Sequence, residues 1–237
     1  MEPSRKRFFA ECGRAIAALI LFCVMQIYSG LAVQWIGAGS YLALFPQSAR
    51  LSSMFGAFVF RQSACLSLLF SSACTMTLLC AVFAARGSSF QKQTNAVPVR
   101  PRTILLSFVL GMALNVAVTI LFALLPIPEA LLSGYRASAA KLMTEPFAIR
   151  FLAIVVAAPL TEETVLRGTV QNHLARVLPY GFAAVLQSLV FGLLHGAPLW
   201  IAYTFVFGLV CTLVYRKHGL FASVALHMGF NFLGVFL

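Results

Sequence analysis

"APLTEETVLRG", Ala158 to Gly168, sets two adjacent glutamates and an arginine inside a long apolar stretch. Whether that stretch lies on a soluble surface or at membrane depth decides the fold. The chain has 237 residues, 61% hydrophobic and 10% charged, with a mean hydropathy of +0.93. These values lie outside the range of soluble domains and inside that of polytopic membrane proteins. The sequence holds six Glu and no Asp, so the acids can be taken one by one.

Apolar runs near 15–36, 63–85, 104–126, 148–178, 180–196, 198–216 and 218–236 match the roughly 20 residues needed to cross about 30 Å of hydrocarbon. The expected fold is all-α, a polytopic transmembrane bundle of about seven spans. The fourth run is too long for one perpendicular crossing. Pro159 and Thr161 predict a kink or a new N-cap there, with the lower half as a separate cytosolic helix. The first run follows a basic start, but it is longer than a signal-peptide core and further spans follow, so a retained helix is expected.

A formal charge of +11 raises nucleic acid as a partner, but the basic residues fall in short clusters between apolar runs rather than along one face. No nucleic acid is expected. Arg5, Lys6, Arg7 and Arg14, then Arg86, Lys92, Arg100 and Arg102, then Arg167 and Arg176, then Arg216 and Lys217 mark one side; Arg50, Arg61, Arg136, Lys141 and Arg150 mark the other. Cytoplasmic loops collect Lys and Arg, which predicts a cytosolic N-terminus and a C-terminus on the opposite side. Residues 87–102 read as a polar, basic linker, and 37–62 and 127–147 as outer loops, the first with a short interfacial helix at 52–60. Cys12, Cys23, Cys65, Cys74, Cys80 and Cys211 lack CxxC spacing and read as small core residues.

An ionisable group at membrane depth is a functional candidate by default. Glu163 and Arg167, four apart, face each other on a helix with the acid first. Glu162 is turned about 140° from Arg167 and needs a partner from another helix. His218, in a turn, reads as a solvated residue. His173 lies about 16 Å along the same helix as Glu162 and cannot reach it. If the fourth and fifth helices turn at Pro179, Glu162 stands 17 residues before the turn and His195 stands 16 after it, at nearly the same depth. His227 and Asn231, four apart, share one face of the last helix. A carboxylate and an imidazole one water apart can deprotonate that water, and donors from His227 and Asn231 can meet charge developing on an attacked carbonyl. These are the parts for amide hydrolysis.

The segments "EETVLRG" (162–168), "FGLLH" (191–195) and "HMGFN" (227–231) resemble the EExxxR, FxxxH and HxxxN motifs of the CAAX prenyl protease and bacteriocin-processing family of intramembrane proteases. The resemblance spans about residues 148–237 and implies a catalytic core in the last four helices, with residues 1–147 as N-terminal membrane helices and loops. By resemblance Glu162 is the catalytic glutamate, His195 its partner on water, and His227 and Asn231 the oxyanion site; Glu163 and Arg167 support them. It further implies an integral protein of a bacterial inner or plasma membrane, in contact with membrane lipid and acting on a peptide or protein substrate, lipidated or not. One departure is Leu166, where the family usually carries an aromatic; the expected effect is on packing. No cofactor is expected. Zinc is the alternative, on Glu162, His195 and His227, although HExxH is absent. The competing classes are a non-catalytic immunity or scaffold protein and a proton-coupled transporter, the latter predicting internal repeats that the sequence lacks. A water-filled polar cavity among the last four helices is expected.

Overall fold

The computed structural model describes residues 3–44, 54, 63–143 and 145–236. Among them regular structure is entirely helical: α1 (Pro3–Leu44), α2 (Ser63–Ala85), α3 (Phe90–Thr94), α4 (Pro101–Leu124), α5 (Glu129–Met143), α6 (147–174), α7 (Tyr180–Leu193), α8 (Pro198–His218) and α9 (Leu220–Gly234). Each of the seven apolar runs is a helix. Four are long and apolar enough to cross a membrane by themselves: α1 over Ser4–Trp35, α2, α4 and α8. The chain is an integral membrane protein with a helical bundle fold. The apolar helices α7 and α9 are shorter, at 14 and 15 residues, or roughly 21–23 Å.

Neighbouring helices alternate in direction. α1 and α2 run antiparallel, with Gln26 beside Ser71 at mid-height and Ala15 and Ala18 in one cluster with Leu79 and Phe83 below. α7 and α8 form a second antiparallel hairpin, in which Gln187 donates to Thr212 at 2.6 Å. α4 and α9 run parallel, as the three crossings between them, α6, α7 and α8, require. Their backbones approach so closely that a Cβ on Gly111 would lie 1.9 Å from the Leu226 carbonyl oxygen, and one on Gly229 would lie 2.0 Å from that of Phe108. Small residues at such a seam are how helices gain packing contacts in lipid, where no hydrophobic force drives them together.

α6 departs from the expectation of a kinked or restarted helix with a detached lower half. It is continuous: π-helical stretches at Phe151–Ala157 and Leu166–Gln171 flank an α-helical Ala158–Val165, and every junction residue is right-handed. Pro159 has no N–H to give to the preceding turn, and a π stretch there absorbs the missing bond. The lower half packs into the bundle: Val165, Val170 and Leu174 share a core cluster with α1 and α2.

Other expectations need correction. Residues 87–102 are strapped to the core, with Thr94 and Ala96 buried. Tyr215 Oη donates to the Thr94 carbonyl (3.0 Å), and Asn172 Nδ2 donates to that of Gln93 (3.0 Å). Gly168 is what lets this strap lie flat, since a Cβ there would meet Thr94 Cβ at 2.9 Å. The segment 127–147 contains α5, and α1 continues to Leu44. The helix expected at 52–60 lies outside the described residues. His218 is partly exposed, as an interfacial residue is. All six cysteines are free; Cys65 and Cys211 are buried, while Cys80 is exposed.

Gly229→Ala and Gly111→Ala should each destabilise the bundle by about 1–3 kcal/mol through overpacking. Gly134→Ala, where nothing lies within 4 Å, should be neutral. Melting temperatures of the detergent-solubilised variants check this.

Candidate active site

Helix α6 carries the buried charge. Arg167 and Glu163 have no exposed side-chain surface and pair at 2.8 Å across one turn. The second guanidinium nitrogen of Arg167 donates to the Gly208 carbonyl at 3.1 Å, and the Phe191 ring lies 4.6 Å from the guanidinium carbon, an electrostatically favourable cation–π arrangement. Gly208 makes room, since a Cβ there would lie 3.2 Å from Arg167 Nη2. Glu163 is saturated in turn: Ser223 Oγ donates to Oε2 (2.5 Å) and His227 Nδ1 lies 2.9 Å from Oε1. One ion pair thereby ties α6 to α8 and α9.

Glu162 faces the other way. Its side chain keeps 17% of its surface exposed, with His227 Nε2 at 3.8 Å. The two glutamates thus flank one imidazole, so the partner from another helix that Glu162 requires is His227. His195, on the turn after α7, has Nδ1 held 2.8 Å from the Phe191 carbonyl. With the Nδ1 proton donated there, Nε2 carries the lone pair. Asn231 Nδ2 donates to the Ile154 carbonyl (2.9 Å), five residues before Pro159, where the π stretch meets the missing proline N–H. That leaves one amide proton of Asn231 for another acceptor.

Glu162, His195, His227 and Asn231 all line one cavity of about 230 Å³. The cavity is not confined to the last four helices as expected: Leu68 of α2, Asn115 of α4 and Tyr135 of α5 also line it. Among the described residues no group of three His, Cys, Asp or Glu side chains is placed to hold a metal ion.

Residues 144–233 match the family model described as type II CAAX prenyl endopeptidase Rce1-like. This is the family that the three motifs resemble, and the matched region contains them all. Comparisons with curated proteins and with solved structures return no match.

In the Rce1-like region several contributors escaped the sequence reading. Ser223 precedes His227 by four residues, as His227 precedes Asn231, so the spacing alone put all three on one face of α9. Phe191 opens the FxxxH motif because its carbonyl holds His195 and its ring covers Arg167. Leu166, the departure from the family pattern, is fully buried in a cluster with Phe191, Phe207 and Leu226. Outside the region, buried Glu11 lies 2.6 Å from His173 Nδ1 and 3.2 Å from Arg176, pinning the start of α1 to the foot of α6. Nothing in the local sequence announced that pairing.

Arg167→Ala leaves Glu163 as an uncompensated buried charge and should cost about 3–5 kcal/mol. The double variant Glu163→Gln/Arg167→Met should recover part of that loss. Folded yield and thermal melts in detergent are the measurements.

Proposed function

We propose that the protein is an intramembrane endopeptidase in which Glu162 and His195 activate water and His227 and Asn231 receive the oxyanion. What carries this reading is the convergence of those four side chains, from three different helical segments, on one cavity. Glue residues require only local partners; four chemically complementary groups around a shared space suit a reaction.

Glu162 takes a proton from a water that His195 Nε2 orients by accepting its other proton as a hydrogen bond. The hydroxide attacks the scissile carbonyl. The oxyanion meets the second amide proton of Asn231 and, in the doubly protonated form of His227, its Nε2–H. Glu162 then returns its proton to the leaving amine, which balances the step. Glu163 and Arg167 act as positioning residues: Glu163 fixes His227 through Nδ1, and Arg167 holds Glu163. No metal is needed. Residues 148–237 form the catalytic portion, and Leu68, Asn115 and Tyr135 from residues 1–147 help to line its cavity.

Glu162→Gln and His195→Ala should each lower the rate by about 10²–10⁴-fold, as loss of general-base chemistry does, with the fold retained. The check is a comparison of membrane-peptide termini by mass spectrometry, in cells carrying the intact protein or Glu162→Gln at matched expression. Termini that vanish with the carboxylate identify the substrate; identical profiles would sink the protease reading. The basic end of the bundle faces the cytosol in this proposal. Lys92→Cys should then react with an impermeant maleimide only after the membrane is opened, and labelling of sealed cells would reverse the orientation.

A further inference from the structure

Helix α4 carries a single side-chain amide, Asn115, well inside a span apolar enough to cross the membrane. A polar side chain at that depth is costly and is ordinarily held by a hydrogen bond to a neighbouring helix. Asn115 has no such bond among the described residues. Its Oδ1 is buried without a donor, and the contact from Thr119 Oγ1 at 3.0 Å goes to its main-chain carbonyl, not to the amide.

The glycine seam explains why the amide stays unpaired. Gly111 presses α4 onto the backbone of α9 at Leu226 and Phe230. Asn115, four residues after Gly111 and on the same face, meets α9 one turn beyond Phe230, and the residue there is Gly234, which has no side chain to receive it. Among the described residues, a Cβ built on Gly234 would find one atom within 4 Å: Asn115 Nδ2, at 3.9 Å. The amide nitrogen therefore borders open space. That space is the cavity of Glu162 and His195, which Asn115, Asn231 and Gly234 all line. Gly234 follows Asn231 by three residues on one face, a rise of about 4.5 Å. Two amides on adjoining helices thus open onto one wall at slightly different heights. Carbonyls on one edge of an extended strand recur every second residue, about 6.8 Å apart, so one strand can offer a carbonyl to each amide.

Resting on the endopeptidase reading, we propose that Asn115 binds substrate: its Nδ2–H donates to the main-chain carbonyl that follows, on the same strand edge, the one received by Asn231. The contact reads backbone and not side chain, so it holds the strand in register without selecting sequence. Asn115 lies outside the matched residues 144–233, and the N-terminal portion of the chain thereby supplies a binding group as well as a wall.

The test uses the full-length protein in detergent and synthetic peptides spanning a Glu162-dependent cut. Asn115→Leu and the smaller Asn115→Ala should each raise KM about 2- to 10-fold, the net value of one neutral hydrogen bond, with kcat little changed. The factor should be the same for peptides that differ in the side chains two residues either side of the cut. Thermal melts of Asn115→Leu should not fall, because the buried oxygen that lacks a donor leaves with the amide. An unchanged KM in either folded variant would overturn the proposal, and a lower melting temperature beside it would assign Asn115 to helix packing. A KM effect confined to one peptide would overturn main-chain recognition. If Glu162→Gln leaves every terminus in place, the endopeptidase reading fails instead, and this contact with it.

Discussion

A carboxylate and a guanidinium share the interior of an apolar bundle, and everything around them is arranged to make that tolerable. Burying one charge alone in a medium of low dielectric is prohibitive, and even a pair is stable only when its remaining donors and acceptors are satisfied. Glu163 and Arg167 meet most of that demand with partners from three directions: Ser223 and His227 on α9, the Gly208 carbonyl on α8 and the Phe191 ring on α7, with the Arg167 Nε–H left without an acceptor among the described residues. The pair consequently sets the mutual depth of four helices. Because His227 is held from one side by Glu163, its other nitrogen is delivered toward Glu162.

A second constraint acts through the backbone. Pro159 removes a donor from α6, and the helix answers with a π stretch instead of a break. The Ile154 carbonyl is then taken by Asn231, so a proline on one helix fixes an amide on another. π stretches commonly mark functional positions, and here two of them bracket the turn that carries both glutamates.

The N-terminal helices are more than a membrane anchor for the Rce1-like region. α4 lies against α9 through a glycine seam, the strap before α4 lies on Gly168, and Glu11 reaches His173 and Arg176. Leu68, Asn115 and Tyr135 complete the cavity wall. The two portions of the chain are packed as one body around the same space.

Hydrophobic run length and the scarcity of acids were enough to set the helical class, the seven apolar segments and the singularity of Glu162 and Glu163. Those properties depend on solvent preference and helical period, which are local. The Glu163–Arg167 pair was equally legible, since a spacing of four is a contact on any helix. Ser223 shared that spacing with His227 and Asn231 but carries no charge, so nothing singled it out. The strap at 87–102 looked like a tether because its polar composition says nothing about which carbonyls it offers to Tyr215 and Asn172. Only the tertiary structure decided that α6 runs unbroken, that His227 stands between both glutamates, and that α2, α4 and α5 reach the cavity. Each of these follows from how helices distant in sequence pack, and packing partners in an apolar medium are chosen by shape and by the few polar groups that must be matched, neither of which a one-dimensional pattern records.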